Sequence, residues 1–184
     1  MSREQTLAEK LRVLDPRVVY LLVLLVGAII ALCPIGLPIG ISPTSKALHA
    51  VIQELPAGSL VWYGNDISAG DYEMFSAIVV TMQHLFARPL KIMFISFIAD
   101  GPMVYAKAMA QMKIPAEKKY GVDYVFMGFV PGEETGLTAV AGDIRGTLRT
   151  DYYGTPIDQL QALKDVKTAK DFALVIYISG QFPT

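Results

Sequence analysis

The sequence predicts an α/β protein: an N-terminal transmembrane helix, then an open, mostly parallel, doubly wound Rossmann-like sheet. Three observations predict it. Residues 18–45 include no charged side chain, and about 20 apolar residues in helical form span a bilayer core. Beyond them, four short apolar runs alternate with stretches of helical periodicity. Strands covered by helices on both faces of a parallel sheet have this continuous apolar composition.

Three segments follow from this: a cytoplasmic leader over 1–17, a transmembrane helix with a Pro/Gly exit over 18–42, and an extracytoplasmic α/β domain over 43–184. In the leader, Leu7, Leu11 and Leu14 share a helical face. Arg3, Lys10, Arg12 and Arg17 precede the span, whereas Lys46 is the one basic residue close behind it. Positive flanks stay in the cytoplasm, which places the amino terminus inside, in the inner membrane, with residues 18–40 in contact with lipid. Pro34, Gly36, Pro38 and Gly40 interrupt the helical ladder at the exit. The competing readings are a cleaved signal peptide and a buried core helix. Leu32 stands where a lipoprotein box before Cys33 wants a small residue, and the uncharged run is long for a globular helix.

The elements of the domain follow in order. Ser42-Pro43-Thr44-Ser45 opens a helix carrying Ala47, Leu48, Val51, Ile52 and Leu55 at helical spacing. Residues 60–63 form the first strand, ended by a Gly64-Asn65-Asp66 turn. Residues 71–88 form a long helix with a stripe of Met74, Phe75, Ile78, Met82, Leu85 and Phe86. Asp71 and Glu73 suit the positive end of its dipole, and Arg88 the other. Pro89 stops it. Residues 90–98 are the second strand, and Gly101-Pro102 starts a helix to about Lys113. Residues 122–130 are the third strand, and Glu133-Glu134 begin a helix of small residues to Ala141. Residues 143–153 fit no class; 156–163 are expected to be helical; 172–178 are the fourth strand. The chain then runs only a few residues further, so the sheet is expected to be truncated at its C-terminal end, with an apolar face for another subunit or a second copy to cover.

Composition excludes several functions. Removing the four basic and three acidic groups of the first 17 residues leaves 12 basic and 14 acidic groups. That balance supplies no field for nucleic acid. One cysteine, Cys33, permits no intramolecular disulfide. His49 and His84 each lack a second ligand at helical spacing, so no histidine metal site is expected. No dinucleotide, P-loop or nucleophile-elbow motif is present. The nearest glycine-rich turn, 128–136, has strand–turn–helix context, but Glu133 and Glu134 repel an anion there and serve the helix dipole.

One constellation survives. Ligands of open parallel sheets collect at the carboxyl ends of the strands. Those ends carry Asn65, Asp66, Ser68, Asp100, Glu133, Glu134 and Ser179. Acids converging on one rim hold Mg²⁺ or Ca²⁺, or orient a hydroxylated or cationic ligand; idle loop acids are the bland alternative. A second polar cluster, Asp143, Arg145, Arg149, Asp151 and Tyr152, is either a structural ion-pair network or a docking surface.

The blocks YGVDYV from Tyr120, GDIR from Gly142, TDYYGTP from Thr150 and DFALVI from Asp171, with the amino-terminal span, resemble a family of prokaryotic membrane-anchored α/β proteins that has no assigned activity. The resemblance covers most of the chain from Leu55 onward. It implies topology, including continuation past the fourth strand, and no site residue. The expected function is therefore a membrane-tethered extracytoplasmic binding or assembly module, a non-catalytic component of an envelope complex with no resident cofactor. The alternative is a metal-assisted hydrolase whose Asp66, Asp100 and Glu133 meet at one rim.

Overall fold

The structure is a computed structural model that describes residues 15–32 and 40–180. The leader helix expected over 1–15, apart from Asp15, lies outside the described residues, as do Cys33 and the Pro34–Pro38 exit. Two compact units divide at Pro43.

The first unit contributes helix α1, Pro16–Leu32, 17 residues long. Beyond Arg17 in its first turn it is apolar on every side, and none of its residues is buried. At 1.5 Å per residue it spans about 25 Å, short of the roughly 30 Å hydrocarbon core. Among the described residues no helix is long and apolar enough to cross a membrane, so the span expected over 18–42 is represented only by this shorter helix.

The second unit is an α/β domain. Its elements are α2 (Pro43–Glu54), β1 (Leu60–Asp66), α3 (Tyr72–Phe86), β2 (Lys91–Ser96), α4 (Gly101–Gln111), β3 (Tyr124–Phe129), α5 (Glu133–Gly142), the single-turn α6 (Ile144–Thr147) and β4 (Leu174–Ser179). The sheet order is β3-β2-β1-β4, and all three ladders are parallel.

Period-2 alternation sends successive side chains to opposite faces, and both faces are buried. Val61, Tyr63, Ile92 and Phe94 pack against Ile52 of α2, Ile78, Met82 and Leu85 of α3, and Val104 and Ala108 of α4. Trp62, Met93, Ile95 and Val125 pack against Val140 of α5, Ile144 of α6, Leu148, Leu163 and Phe172. The doubly wound expectation therefore holds. Arg88, assigned from sequence to the α3 dipole, ties helix ends together instead: its Nη2 donates to the Gln53 carbonyl at 2.8 Å.

Two local expectations fail, and a stretch that fits no class from sequence is resolved. β1 continues through Gly64, Asn65 and Asp66, which pair with Tyr177, Ile178 and Ser179 of β4; tertiary pairing overrides the turn preference of these residues. Residues 156–163 form two 3-10 turns, Ile157–Gln159 and Gln161–Leu163, rather than a helix. Residues 143–153 resolve into α6 and a loop.

That loop protects an edge of the sheet. Tyr152 N–H donates to the Phe126 carbonyl at 2.9 Å, and Phe126 N–H donates to the Tyr120 hydroxyl at 3.3 Å. Pairing groups on the outer side of β3 are thereby occupied. β4 pairs only with β1 among the described residues, and Val175 and Tyr177 on one of its faces are 52% and 41% exposed.

Candidate functional site

Strand order reverses between β1 and β4, because the chain leaves β1 toward β2 and returns on the opposite side. In open α/β sheets the crevice at such a reversal, beyond the carboxyl ends of the strands, is where ligands bind. Several of the residues expected from sequence at this rim separate into two hydrogen-bonded groups.

The first group centres on Asp66. Its Oδ1 accepts the Phe97 N–H at 2.7 Å and the Ser96 hydroxyl at 3.1 Å. The Tyr177 phenol donates to its Oδ2. Burial pushes the Asp66 carboxyl above its usual range, the Phe97 and Ser96 hydrogen bonds work against that, and the negative charge of Glu133 adds to it. Ser179, the last residue of β4, is the register partner of Asp66. Two glycines make the cluster possible. A Cβ on Gly64 would lie 2.2 Å from the Tyr177 ring, and one on Gly101 would lie 1.9 Å from Ser96 Oγ.

The second group centres on the β1–α3 loop. Asp100 Oδ2 accepts the Ala69 N–H at 3.0 Å and the Ser68 hydroxyl at 3.3 Å. Asp71 stands at the N-cap of α3 but makes no side-chain cap; its Oδ2 accepts the Ser68 N–H at 3.0 Å. A crevice of about 130 Å³ opens beside this loop. Its apolar wall is Ile67, Phe75, Met103 and Val104, and its polar lining is Ser68, Asp71 and Lys107. The Lys107 ammonium lies 4.7 Å from the centre of the Phe75 ring, within cation–π range.

Other expected residues are elsewhere. Asn65, 6% exposed, is buried in the sheet rather than presented at the rim. Among the described residues its Oδ1 has no hydrogen-bond partner, and it lines a separate void of about 10 Å³ with Tyr63 and Tyr105. Glu134 is exposed in the first turn of α5. Glu133, at φ 44°, opens that helix and reaches Asp66 only electrostatically. Among the described residues no group of three His, Cys, Asp or Glu is placed to hold a metal ion. Asp66, Asp100 and Glu133 therefore do not form the three-carboxylate centre that the hydrolase alternative requires.

The second polar cluster is structural in its parts. Arg145 pairs with Asp158 and donates from Nη2 to the Leu163 carbonyl at 2.7 Å. Asp151, 5% exposed, accepts the Tyr120 hydroxyl at 2.7 Å and the Thr155 N–H at 2.7 Å.

Sequence reasoning missed Asp71, Phe75, Met103, Lys107 and Tyr177 as rim residues. The spacing of Asp71 and Phe75, one helical turn apart at the start of α3, was the available signal. It was absorbed by the dipole and core-stripe explanations. Comparison with protein-family models, with curated proteins and with solved structures returns no match to this chain.

Proposed function

We propose that this chain is a membrane-tethered α/β module, its domain held outside the cytoplasm, that binds a small ligand at the C-terminal rim of its sheet. It serves as a non-catalytic component of an envelope complex. The observation that carries the binding role is the crevice at the end of β1, where one carboxylate and one ammonium border an apolar pocket. Such a mix of apolar wall and few polar groups is the usual lining of a ligand site.

Support for the tether comes from two directions. Residues 18–45 include no charge, and beyond Arg17 α1 is apolar all round with no buried residue. A helix hydrophobic on every side needs an apolar environment. The exposed Val175 and Tyr177 face of β4 is the surface on which a partner subunit or second copy is expected.

A thermal-shift screen of the full chain in detergent micelles, using small amines, polyols and carboxylic acids, tests the binding role. Met103→Trp places an indole at the crevice mouth. Compounds that raise the melting temperature of the parent but not of this variant support the proposal. Equal shifts in both proteins overturn it. For the tether, the chain should resist carbonate extraction from membranes, and release by carbonate would overturn that part.

A further inference from the structure

We infer that His49 of α2 and His84 of α3 form an open two-imidazole site for a divalent copper or nickel ion, and that the ion clips the two helices together. The site lies apart from the crevice at the end of β1 and stands or falls independently of it.

Neither histidine has a second ligand at helical spacing on its own helix. The fold supplies one from the neighbouring helix. The His49 and His84 rings stack with their centres 4.6 Å apart. Gln53, one turn on from His49, places its side-chain amide 3.0 Å from His84 Nε2. The two histidines of the chain are thus brought side by side with an amide next to them.

The spacing favours a particular ion. An imidazole nitrogen binds a late first-row ion at about 2.0–2.1 Å, which puts the ion roughly 3.2 Å from each ring centre. Ring centres 4.6 Å apart then set the two nitrogens at roughly 90° about the ion. That is the cis angle of the square-planar and tetragonal shells of Cu²⁺ and Ni²⁺, and it falls short of the tetrahedral angle of Zn²⁺. The rings stand 19° from parallel, so they must turn out of the stack for their lone pairs to meet the ion. The turn is about the Cβ–Cγ bond, a broad torsion for histidine, and His49 is exposed. At His84 Nε2 the ion displaces the Gln53 amide, and a turned amide offers its Oε1 as an oxygen ligand.

Charge adds selectivity. The Arg88 guanidinium donates to the Gln53 and Leu55 carbonyls, and its positive charge reaches His84. Mg²⁺ and Ca²⁺ take oxygen ligands and meet only repulsion here. An ion that bonds imidazole nitrogen overcomes it, with Cu²⁺ ahead of Ni²⁺ at a nitrogen site. Among the described residues no third His, Cys, Asp or Glu joins the pair. A catalytic zinc centre takes three protein ligands, whereas two ligands from separate helices suffice for a clip.

Calorimetric titration of the untagged full chain in detergent micelles tests this with the chlorides of Cu²⁺, Ni²⁺ and Mg²⁺. Cu²⁺ and Ni²⁺ should bind saturably, Cu²⁺ the more tightly, and Mg²⁺ should not compete with them. His49→Gln and His84→Gln should each weaken Ni²⁺ roughly 100-fold, because the second imidazole binds as an intramolecular partner. Paramagnetic broadening on the parent needs no variant: substoichiometric Cu²⁺ should broaden the amides of His49, Gln53 and His84 before those of β3. Bound Ni²⁺ should also slow hydrogen exchange at the Ile52 amide. No saturable binding of either ion by the parent overturns the site. So does Ni²⁺ affinity unchanged in both variants, or Cu²⁺ broadening that spares residues 49 and 84. Unchanged exchange at Ile52 with Ni²⁺ bound overturns the clip.

Discussion

The Tyr177 phenol on β4 donates to the Asp66 carboxylate on β1, and its ring lies over Gly64, where a Cβ would approach to 2.2 Å. This contact closes the reversal in strand order at the rim. The two residues stand 111 positions apart, so the fold alone brings them together.

Gly64→Ala is expected to displace the Tyr177 ring and break its hydrogen bond to Asp66. Overpacking of this kind costs about 1–3 kcal/mol, and the exposed ring swings outward rather than straining the sheet. Tyr177→Ala on its own loses the hydrogen bond. If the steric account holds, adding Gly64→Ala to Tyr177→Ala costs much less than in the parent. Urea midpoints of the four proteins of this cycle give the coupling. Additive losses would show that Gly64 is needed for some other reason.

Asp66 makes stability depend on pH in a predictable direction. Its folded-state carboxyl is raised, first by burial. A raised group contributes stability that is fully present below its unfolded value, about 3.9, and is lost as pH rises through the folded value. Asp66→Asn keeps an acceptor for Phe97 and Ser96 but cannot ionise. The variant should therefore gain on the parent as pH rises from about 4 toward neutrality, read as the difference in urea midpoint. A constant difference across that range would mean that Asp66 ionises in the folded state as it does in the unfolded one.

The strands were legible where burial on both faces leaves an unbroken apolar run, as in Ile92 to Ile95 of β2. The extension of β1 through Gly64, Asn65 and Asp66 was not. All three residue types favour turns locally, and only the ladder to β4 holds them extended. The candidate site was legible at the level of the rim and not of its grouping. Asp66 and Asp100 follow strands in sequence, yet whether their carboxylates converge depends on which way each loop turns. Asp66 turns toward Phe97 and Tyr177, and Asp100 folds back onto Ser68 and Ala69. Lys107 stands on α4, away from any strand end in sequence, and joins the crevice only because α4 packs beside α3.

Asp151 should prove the keystone of the loop that covers β3. It is buried and accepts hydrogen bonds from Tyr120 Oη and the N–H groups of Tyr153 and Thr155. Asp151→Ala leaves several donors without a partner, at a cost of roughly 2–4 kcal/mol. The local signature is hydrogen exchange. The Tyr152 amide, bonded to the Phe126 carbonyl, should lose protection before the amides of β1 and β2. Uniform loss across the sheet would instead assign Asp151 to global stability and deny it a role in guarding the edge.

The imidazoles of His49 on α2 and His84 on α3 stack at 4.6 Å between centroids, and His84 Nε2 shares a 3.0 Å hydrogen bond with Gln53 Nε2. Burial lowers the affinity of His84 for a proton, and the charges of His49 and Arg88 lower it further. No carboxylate is among those influences. A depressed histidine gives stability that is present above its unfolded value, about 6.5, and is lost as pH falls through the folded value. This is the opposite sense to Asp66, so the Asp66→Asn and His84→Gln variants tell the two contributions apart. Acidification from pH 7.5 to about 5.5 should loosen α2 from α3. The readout is earlier hydrogen exchange at the Ile52 amide and a falling urea midpoint. Protonation repels His49 and Arg88 and removes the ring acceptor that Gln53 uses. His84→Gln should flatten the response between these values, because glutamine keeps the polar contact and carries no titrating group. An unchanged acid response in that variant would place its origin outside His84.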